Sequence, residues 1–188
     1  MKLALIRHGQ TDWNRDMRLQ GASDIPLNDT GREQARQAVE LLATSEWDAI
    51  VSSPLSRARE TAQIIADGLG IKLGPAYDQL IERDYGDGEG VTEEEIAKRW
   101  PNKDYPGLES VESVGDRGTK ALEQIAEDFG DARVIVVAHG TLIRVTLDRL
   151  SGLTFPSISN AAISTVEGNS DAWRVLSVNG EPAEALAA

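Results

Sequence analysis

Only two histidines occur among the 188 residues, and they stand in matching surroundings. His8 follows the apolar run "KLALI" and Arg7 and is followed by Gly9; His139 follows "RVIVVA" and is followed by Gly140 and Thr141. A third apolar stretch, "DAIVS", leads into "SPLSRARE", which carries Arg57 and Arg59 in the first turns of a helix. Arginine forks and helix N-termini favour the same ligand, an oxyanion such as phosphate. Glycine after each histidine lets backbone N–H groups come close to it. A neutral imidazole can also attack phosphorus, and a phosphohistidine divides one hard displacement into two easier ones. Flanking arginines would neutralise charge on the transferring oxygens. The bland alternative is that each histidine is a satisfied polar residue and that Arg57 and Arg59 cover a solvated helix face. What favours a site is convergence, because every histidine in the chain falls at an equivalent topological position.

Other chemistries are poorly supplied. The chain has no cysteine, which removes disulfides, thiolate metal sites and cysteine nucleophiles. Two histidines without an H-x-H, H-E-x-x-H or D-x-D pattern argue against a dedicated metal site, and no other cofactor is expected. No G-x-x-x-x-G-K-[ST] loop is present, and the glycines of "GDGEG" carry acidic neighbours that would repel phosphate. The formal net charge of −12, with a pI near 4.6, repels nucleic acid and anionic membranes at long range. A phosphorylated metabolite is then a compatible partner only where arginines concentrate. No apolar run approaches a membrane span, and "MKLALIRHG" meets charge too early for a signal peptide, so a cytoplasmic location is expected.

The elements that must position these residues alternate in type. Strands are expected at 2–6, 48–52, 72–77 and 133–138. Thr30 and Glu33 form a capping-box pattern before a helix to about Leu42, and Ser53 with Pro54 opens a helix to about Leu69. Further helices are expected around 115–129, with Ala121, Leu122, Ile125, Ala126 and Phe129 on one face, and from Thr141 to Leu150. Residues 84–115, rich in Gly, Pro and charge, read as an insertion or lid with a short helix capped by Thr92 and Glu95. Two strands joined by a Gly-Asn turn follow Ala161, and the tail "EPAEALAA" is expected to fray. Together these predict one α/β domain over 1–188, a three-layer α/β/α sandwich with a mostly parallel central sheet and a short lid. In such sheets ligands bind beyond the carboxyl ends of the strands, where both histidines and at least two arginines would meet.

Several ordered motifs resemble those of the histidine phosphatase superfamily, also called phosphoglycerate-mutase-like, and of its small broad-specificity phosphatases in particular. "RHGQTDWN" resembles the R-H-G-x-T-x-x-N signature, "LQGASDIPLNDTGREQA" the Q-G-x-x-D-x-P-L segment, and "SSPLSRARETA" the S-P-L-x-R-A segment. "LIERDYGDGEG", "PGLES", "VVAHGTLIR" and "SNAAIS" are similar to the later motifs, so the likeness spans roughly 170 residues. The resemblance implies that His8 is the phosphorylated nucleophile and that Arg7, Arg57 and His139 bind the phosphoryl oxygens. It implies that Asn14 and Gln20 bind phosphate or substrate beside the Gly140 and Thr141 backbone. Glu82 takes the place of the general acid, for which a raised pKa is needed while Arg7 and Arg57 pull it down. Gly88 departs from the tryptophan usual before the final E-G and would remove an aromatic from the pocket rim.

The implied activity is metal-independent hydrolysis of phosphomonoesters of small metabolites. A cofactor-dependent mutase is the alternative, although the 84–115 insertion lacks the extra arginines of mutase lids; a non-catalytic binding module and a phosphoprotein phosphatase stay open too. Trp100 and Tyr105 could stack on a substrate ring or simply pack. The segment 72–77 could form the edge of a homodimer.

Overall fold

The computed structural model describes residues 1–169 and 172–186. Its centre is one seven-stranded sheet: β1 (Lys2–Arg7), β2 (Ala49–Ser52), β3 (Leu73–Ala76), β4 (Arg133–Ala138), β5 (Ile163–Gly168), β6 (Trp173–Val178) and β7 (Glu181–Pro182), in the spatial order β3-β2-β4-β1-β5-β6-β7. The first four of that order run parallel, with Arg7 opposite Ala138 and Ser52 opposite Val137. β5, β6 and β7 continue the sheet antiparallel, making it mixed with a parallel core.

Helices cover both faces, which is why β1 and β4 read as unbroken apolar runs. On one face Ala4, Ile6, Ile50, Ile135 and Val137 pack against α2 (Asp29–Leu42) and α3 (Ser56–Leu69). On the other, Leu3, Leu5, Val134 and Val136 pack against α5 (Val111–Phe129) and α6 (Gly140–Ser151). Two short helices, α1 (Asp12–Arg15) and α4 (Glu93–Arg99), lie in the connections, and α7 (Ala183–Leu186) ends the described chain. No helix among the described residues is long and apolar enough to cross a membrane.

Several expected boundaries move, each for a local reason. α2 starts at Asp29, because Asn28 supplies the cap by accepting the Gly31 N–H at 2.9 Å; Thr30 already lies in the first turn. α3 starts at Ser56 with Leu55 at the N-cap, and the Asp24 carboxylate reaches over to accept the Ser56 N–H at 2.7 Å. Ser53, the expected cap, is thereby free for another task. α5 begins at Val111, capped by Ser110, and takes the end of the 84–115 segment into the helix. The Thr92–Glu95 capping box of α4 forms as expected. Gly168 closes β5, and at the expected Gly-Asn turn the Asn169 N–H donates to the Ala172 carbonyl at 3.1 Å before β6; Ser170 and Asp171 lie outside the described residues. The expected frayed tail instead pairs β7 with β6 and buries Ala183, while Ala187 and Ala188 are outside the description.

Candidate active site

β1, β2 and β4 end on one edge of the sheet because they are parallel and in register, so Arg7-His8, Ser52-Ser53 and His139 converge there. The two imidazole rings lie with centroids 5.2 Å apart and planes inclined by 59°. Both are buried. Chain entry into this edge depends on a glycine contact: a Cβ on Gly9 would collide with the Gly31 backbone at the start of α2, and one on Gly31 would collide with Gln10.

The hydrogen-bond network assigns the His8 tautomer. Nδ1 faces the Gly9 carbonyl oxygen at 2.6 Å, an atom that can only accept, so Nδ1 carries the hydrogen. Nε2 therefore keeps its lone pair, toward which Arg57 Nε–H points at 3.3 Å. Burial, then Arg57 and Arg7, hold the His8 pKa well below the ordinary histidine value, so the ring is neutral near pH 7. Nε2 is thus the ring nitrogen whose lone pair is available to a ligand.

Arg57 is wholly buried, and its guanidinium spans the site. Its Nη1 and Nη2 donate to the carbonyls of Ser23 (2.7 Å) and Gly21 (2.6 Å). That loop is clamped in turn by the Glu89 carboxylate, which accepts the N–H groups of Ala22 (2.7 Å) and Ser23 (2.9 Å). Burial lowers the Arg57 pKa to about 10, leaving it cationic at neutral pH. Arg59, its neighbour in the motif, turns away and donates to Ser52 Oγ at 3.2 Å.

His139 is gripped by Ser53 Oγ at 2.8 Å from Nε2. The same hydroxyl accepts the Leu55 N–H at 3.3 Å, and its own hydrogen has no other acceptor among the described residues, so we assign that hydrogen to Nε2 and the imidazole hydrogen to Nδ1. That Nδ1 is buried without a partner, as are Arg7 Nε and Gln20 Nε2. Three polar nitrogens of the expected phosphate set are thus unsatisfied by protein, although buried donors are nearly always paired. Their neighbours are committed: Arg7 Nη1 donates to the Ile158 carbonyl (2.6 Å), and Thr11 Oγ1 donates to Gln20 Oε1 (2.5 Å), which turns the Gln20 Nε2 donors the other way. Asn14 Oδ1 accepts from Thr11 N (3.1 Å) and Asn160 Nδ2 (3.2 Å), leaving its own amide hydrogens uncommitted.

Glu82 is buried and sits across the N-terminus of α6. Its Oε2 accepts the Thr141 N–H and its Oε1 the Leu142 N–H, both at 2.9 Å, and the Arg83 N–H adds a third bond at 2.7 Å. The Thr141 N–H, expected to face phosphate, is therefore donated to Glu82, and the Thr141 hydroxyl meets Tyr85 OH at 2.5 Å. Burial raises the Glu82 pKa, outweighing those three N–H groups and the Arg7 charge that lower it. Arg7, Asn14, Gln20, Glu82, Gly140 and Thr141 line one cavity of about 350 Å³. Among the described residues no group of three or more His, Asp or Glu side chains gathers as a metal site would.

Sequence reasoning passed over several of these positions. Ser53 was masked by its resemblance to a helix cap. Thr61, whose hydroxyl accepts the Gly9 N–H at 3.1 Å, is hidden inside "RETA". Asn160 donates to the His8 carbonyl at 3.0 Å and lines the cavity; the "SNAAIS" segment was its signal. Gly88 has its own explanation: the Tyr105 ring lies 2.9 Å from where a Cβ would stand, so an aromatic from the insertion fills the space. Trp100 packs edge-on against Tyr105 at 5.6 Å, and neither lines the cavity.

Residues 3–181 match the model of the histidine phosphatase superfamily (branch 1). A phosphatase of Bacillus subtilis (strain 168), PhoE, described as uncharacterized, is 40% identical over 181 residues, covering 94% of this chain and 93% of its own. The structure of a mycobacterial glucosyl-3-phosphoglycerate phosphatase complexed with VO3 superposes with a TM-score of 0.87 at 30% identity, over 95% of this chain and 98% of that one. A mutant phosphoserine phosphatase from Entamoeba histolytica, solved with phosphoserine, gives a TM-score of 0.80 at 28% identity over 95% and 96% of the two chains.

Proposed function

The chain belongs to branch 1 of the histidine phosphatase superfamily, and from that premise we propose that it hydrolyses phosphomonoesters of small metabolites through a phosphohistidine on His8. The observation that carries this reading is the locked tautomer of His8, neutral and with its Nε2 lone pair among cationic and N–H donors. In the first step Nε2 bonds to phosphorus as the bond to the ester oxygen breaks. Arg7, Arg57, Asn14 and Gln20 hold the phosphoryl oxygens, and His139 supplies its Nδ1–H as charge builds up on them. Glu82, protonated more readily than an ordinary carboxyl, gives its proton to the departing alkoxide. In the second step it takes a proton from water, which attacks phosphorus and releases His8 and inorganic phosphate.

Hydrolysis is favoured over transfer between positions of one substrate by the residues that the insertion brings to the cavity. Residues 84–110, which we read as the lid, bring Tyr85 and Glu93 to the cavity and no cation; the arginines that line it, Arg7, Arg18 and Arg144, stand outside the insertion. The two neighbours solved with VO3 and with phosphoserine support a small oxyanionic substrate. A cytoplasmic setting fits the cysteine-free composition. A homodimer through the outer edge of β3 fits that strand's place at the end of the sheet.

The test is phosphate release from a panel of phosphomonoesters in EDTA, with acid-quenched enzyme assayed for phosphohistidine. Wild-type protein is expected to turn over and to trap label, and His8→Ala to do neither. Full activity in His8→Ala would overturn the mechanism. Isomerisation of 3-phosphoglycerate without release would make the protein a mutase.

A further inference from the structure

The cavity lined by Arg7, Asn14 and Gln20 also takes in residues with no part in the phosphate chemistry; His8, Arg57 and His139 do not line it. Arg18, Arg144 and Glu93 line its mouth beside Met17. The chain at Met17 takes a left-handed conformation (φ 52°), which a side chain of this kind tolerates only when the surroundings enforce it. From there the backbone docks on the start of the insertion: Leu19 N–H donates to the Val91 carbonyl (2.9 Å) and Gly90 N–H to the Leu19 carbonyl (2.8 Å). Arg18, exposed along that seam, donates from Nη1 to the Gly90 carbonyl at 2.8 Å. Arg144 stands one turn beyond Gly140 on α6, with Nη1 held by Asp148 at 3.0 Å. Each guanidinium is thus anchored through one nitrogen, and its remaining N–H donors have no other hydrogen bond among the described residues. A planar fork held in this way loses little freedom on meeting an anion.

We infer that Arg18 and Arg144 form a second anion-reading subsite, and that the preferred substrates are small phosphomonoesters that also carry a carboxylate. The inference rests on the hydrolase reading above and adds the substrate class to it. Both arginines line the same cavity as Arg7, Asn14 and Gln20, so one small molecule can reach the phosphate set and the mouth together. Glu93 favours a single negative charge at the mouth: its carboxylate repels a second phosphate dianion more than a carboxylate. In a protein of net charge −12, cationic donors at a pocket mouth also select what enters.

The test compares 3-phosphoglycerate with glycerol 3-phosphate, which differ by a carboxylate in place of a hydroxymethyl group, and O-phosphoserine with phosphoethanolamine. In wild-type protein kcat/KM is expected to favour the carboxylate member of each pair by at least about tenfold, mainly through KM. In Arg18→Gln/Arg144→Gln the ratio should collapse toward one, and the double lysine variant should restore part of it. The ratio is taken within one protein preparation, so partial misfolding does not imitate the effect. Calorimetric binding of the same pairs to His8→Ala reads the subsite without turnover. Turnover of all four compounds with equal kcat/KM, or a preference that survives in the glutamine variant, would overturn the subsite and leave the hydrolase reading standing. No turnover, but tighter binding of the carboxylates that is lost with the arginines, would keep the subsite and remove the hydrolase reading.

Discussion

At the scale of single residues, the site depends on how neighbours divide the two nitrogens of each imidazole. Gly9 takes the hydrogen of His8 Nδ1 and so leaves Nε2 to react. For His139 the same service comes from Ser53, whose hydroxyl donates to Nε2 and leaves the hydrogen on Nδ1. A serine before a proline carries no mark of this task in the sequence, because the 86 positions that separate it from its histidine are bridged by β2 pairing with β4. Ser53→Ala is expected to lower kcat about tenfold, the worth of one buried hydrogen bond of about 1–1.5 kcal/mol. Ser53→Thr should retain most of the activity. Imidazole 15N shifts check the cause directly: the His139 ring should lose its single-tautomer signature in the alanine variant while His8 keeps its own. An unchanged His139 spectrum would show that Ser53 does not set the tautomer.

At the scale of elements, the strands that end at the site were legible, and so was the Thr92 cap of α4, but the starts of α2, α3 and α5 were not. "KLALI" and "RVIVVA" declare themselves, since strands covered on both faces have no polar alternation to preserve. His8, Arg7, Arg57 and His139 follow from where those runs stop. Glu82 and Gln20 lie in irregular chain, where only the motif resemblance pointed to them. Helix starts went astray because more than one residue near each offered a suitable oxygen. Asn28 prevailed over Thr30 because its backbone is tied to Gln10 (N–H to carbonyl, 3.0 Å), two residues after His8. Its side chain also donates to Gln10 Oε1 at 3.1 Å. The two assignments separate cleanly in a melt. Asn28→Ala is expected to cost about 1 kcal/mol and to lower Tm by about 2–4 °C. Thr30→Ala and Glu33→Ala should stay within about 0.5 kcal/mol. The reverse order would place the cap back at the capping-box pattern.

At the scale of the whole molecule, the burial that prepares the histidines also makes the fold sensitive to acid. Both imidazoles are held well below their ordinary pKa, His8 by burial, then Arg57 and Arg7, and His139 by burial, then Arg57, His8 and Arg7. Above about pH 6.5 neither the folded nor the unfolded chain protonates them, and they leave stability unchanged. As pH falls through that value the unfolded chain takes up protons that the folded one refuses, so stability drops, by roughly 1–2 kcal/mol per pH unit for each histidine that stays neutral. Two carboxyls contribute as well. Glu109, whose pKa is lowered to about 2 with Arg117 beside it, contributes stability that is lost as pH falls below the ordinary carboxylate value. Glu82, raised by burial, has the opposite sign: its contribution is present at low pH and fades as pH rises through its folded value. Thermal melts from pH 7.5 to 5.5 are therefore expected to show Tm falling, most steeply below pH 6.5. The same series on His8→Gln/His139→Gln should lose most of that fall, because neither side chain there titrates. A wild-type Tm that holds to pH 5.5, or a double variant that falls as steeply, would mean that the two rings take up protons inside the folded protein.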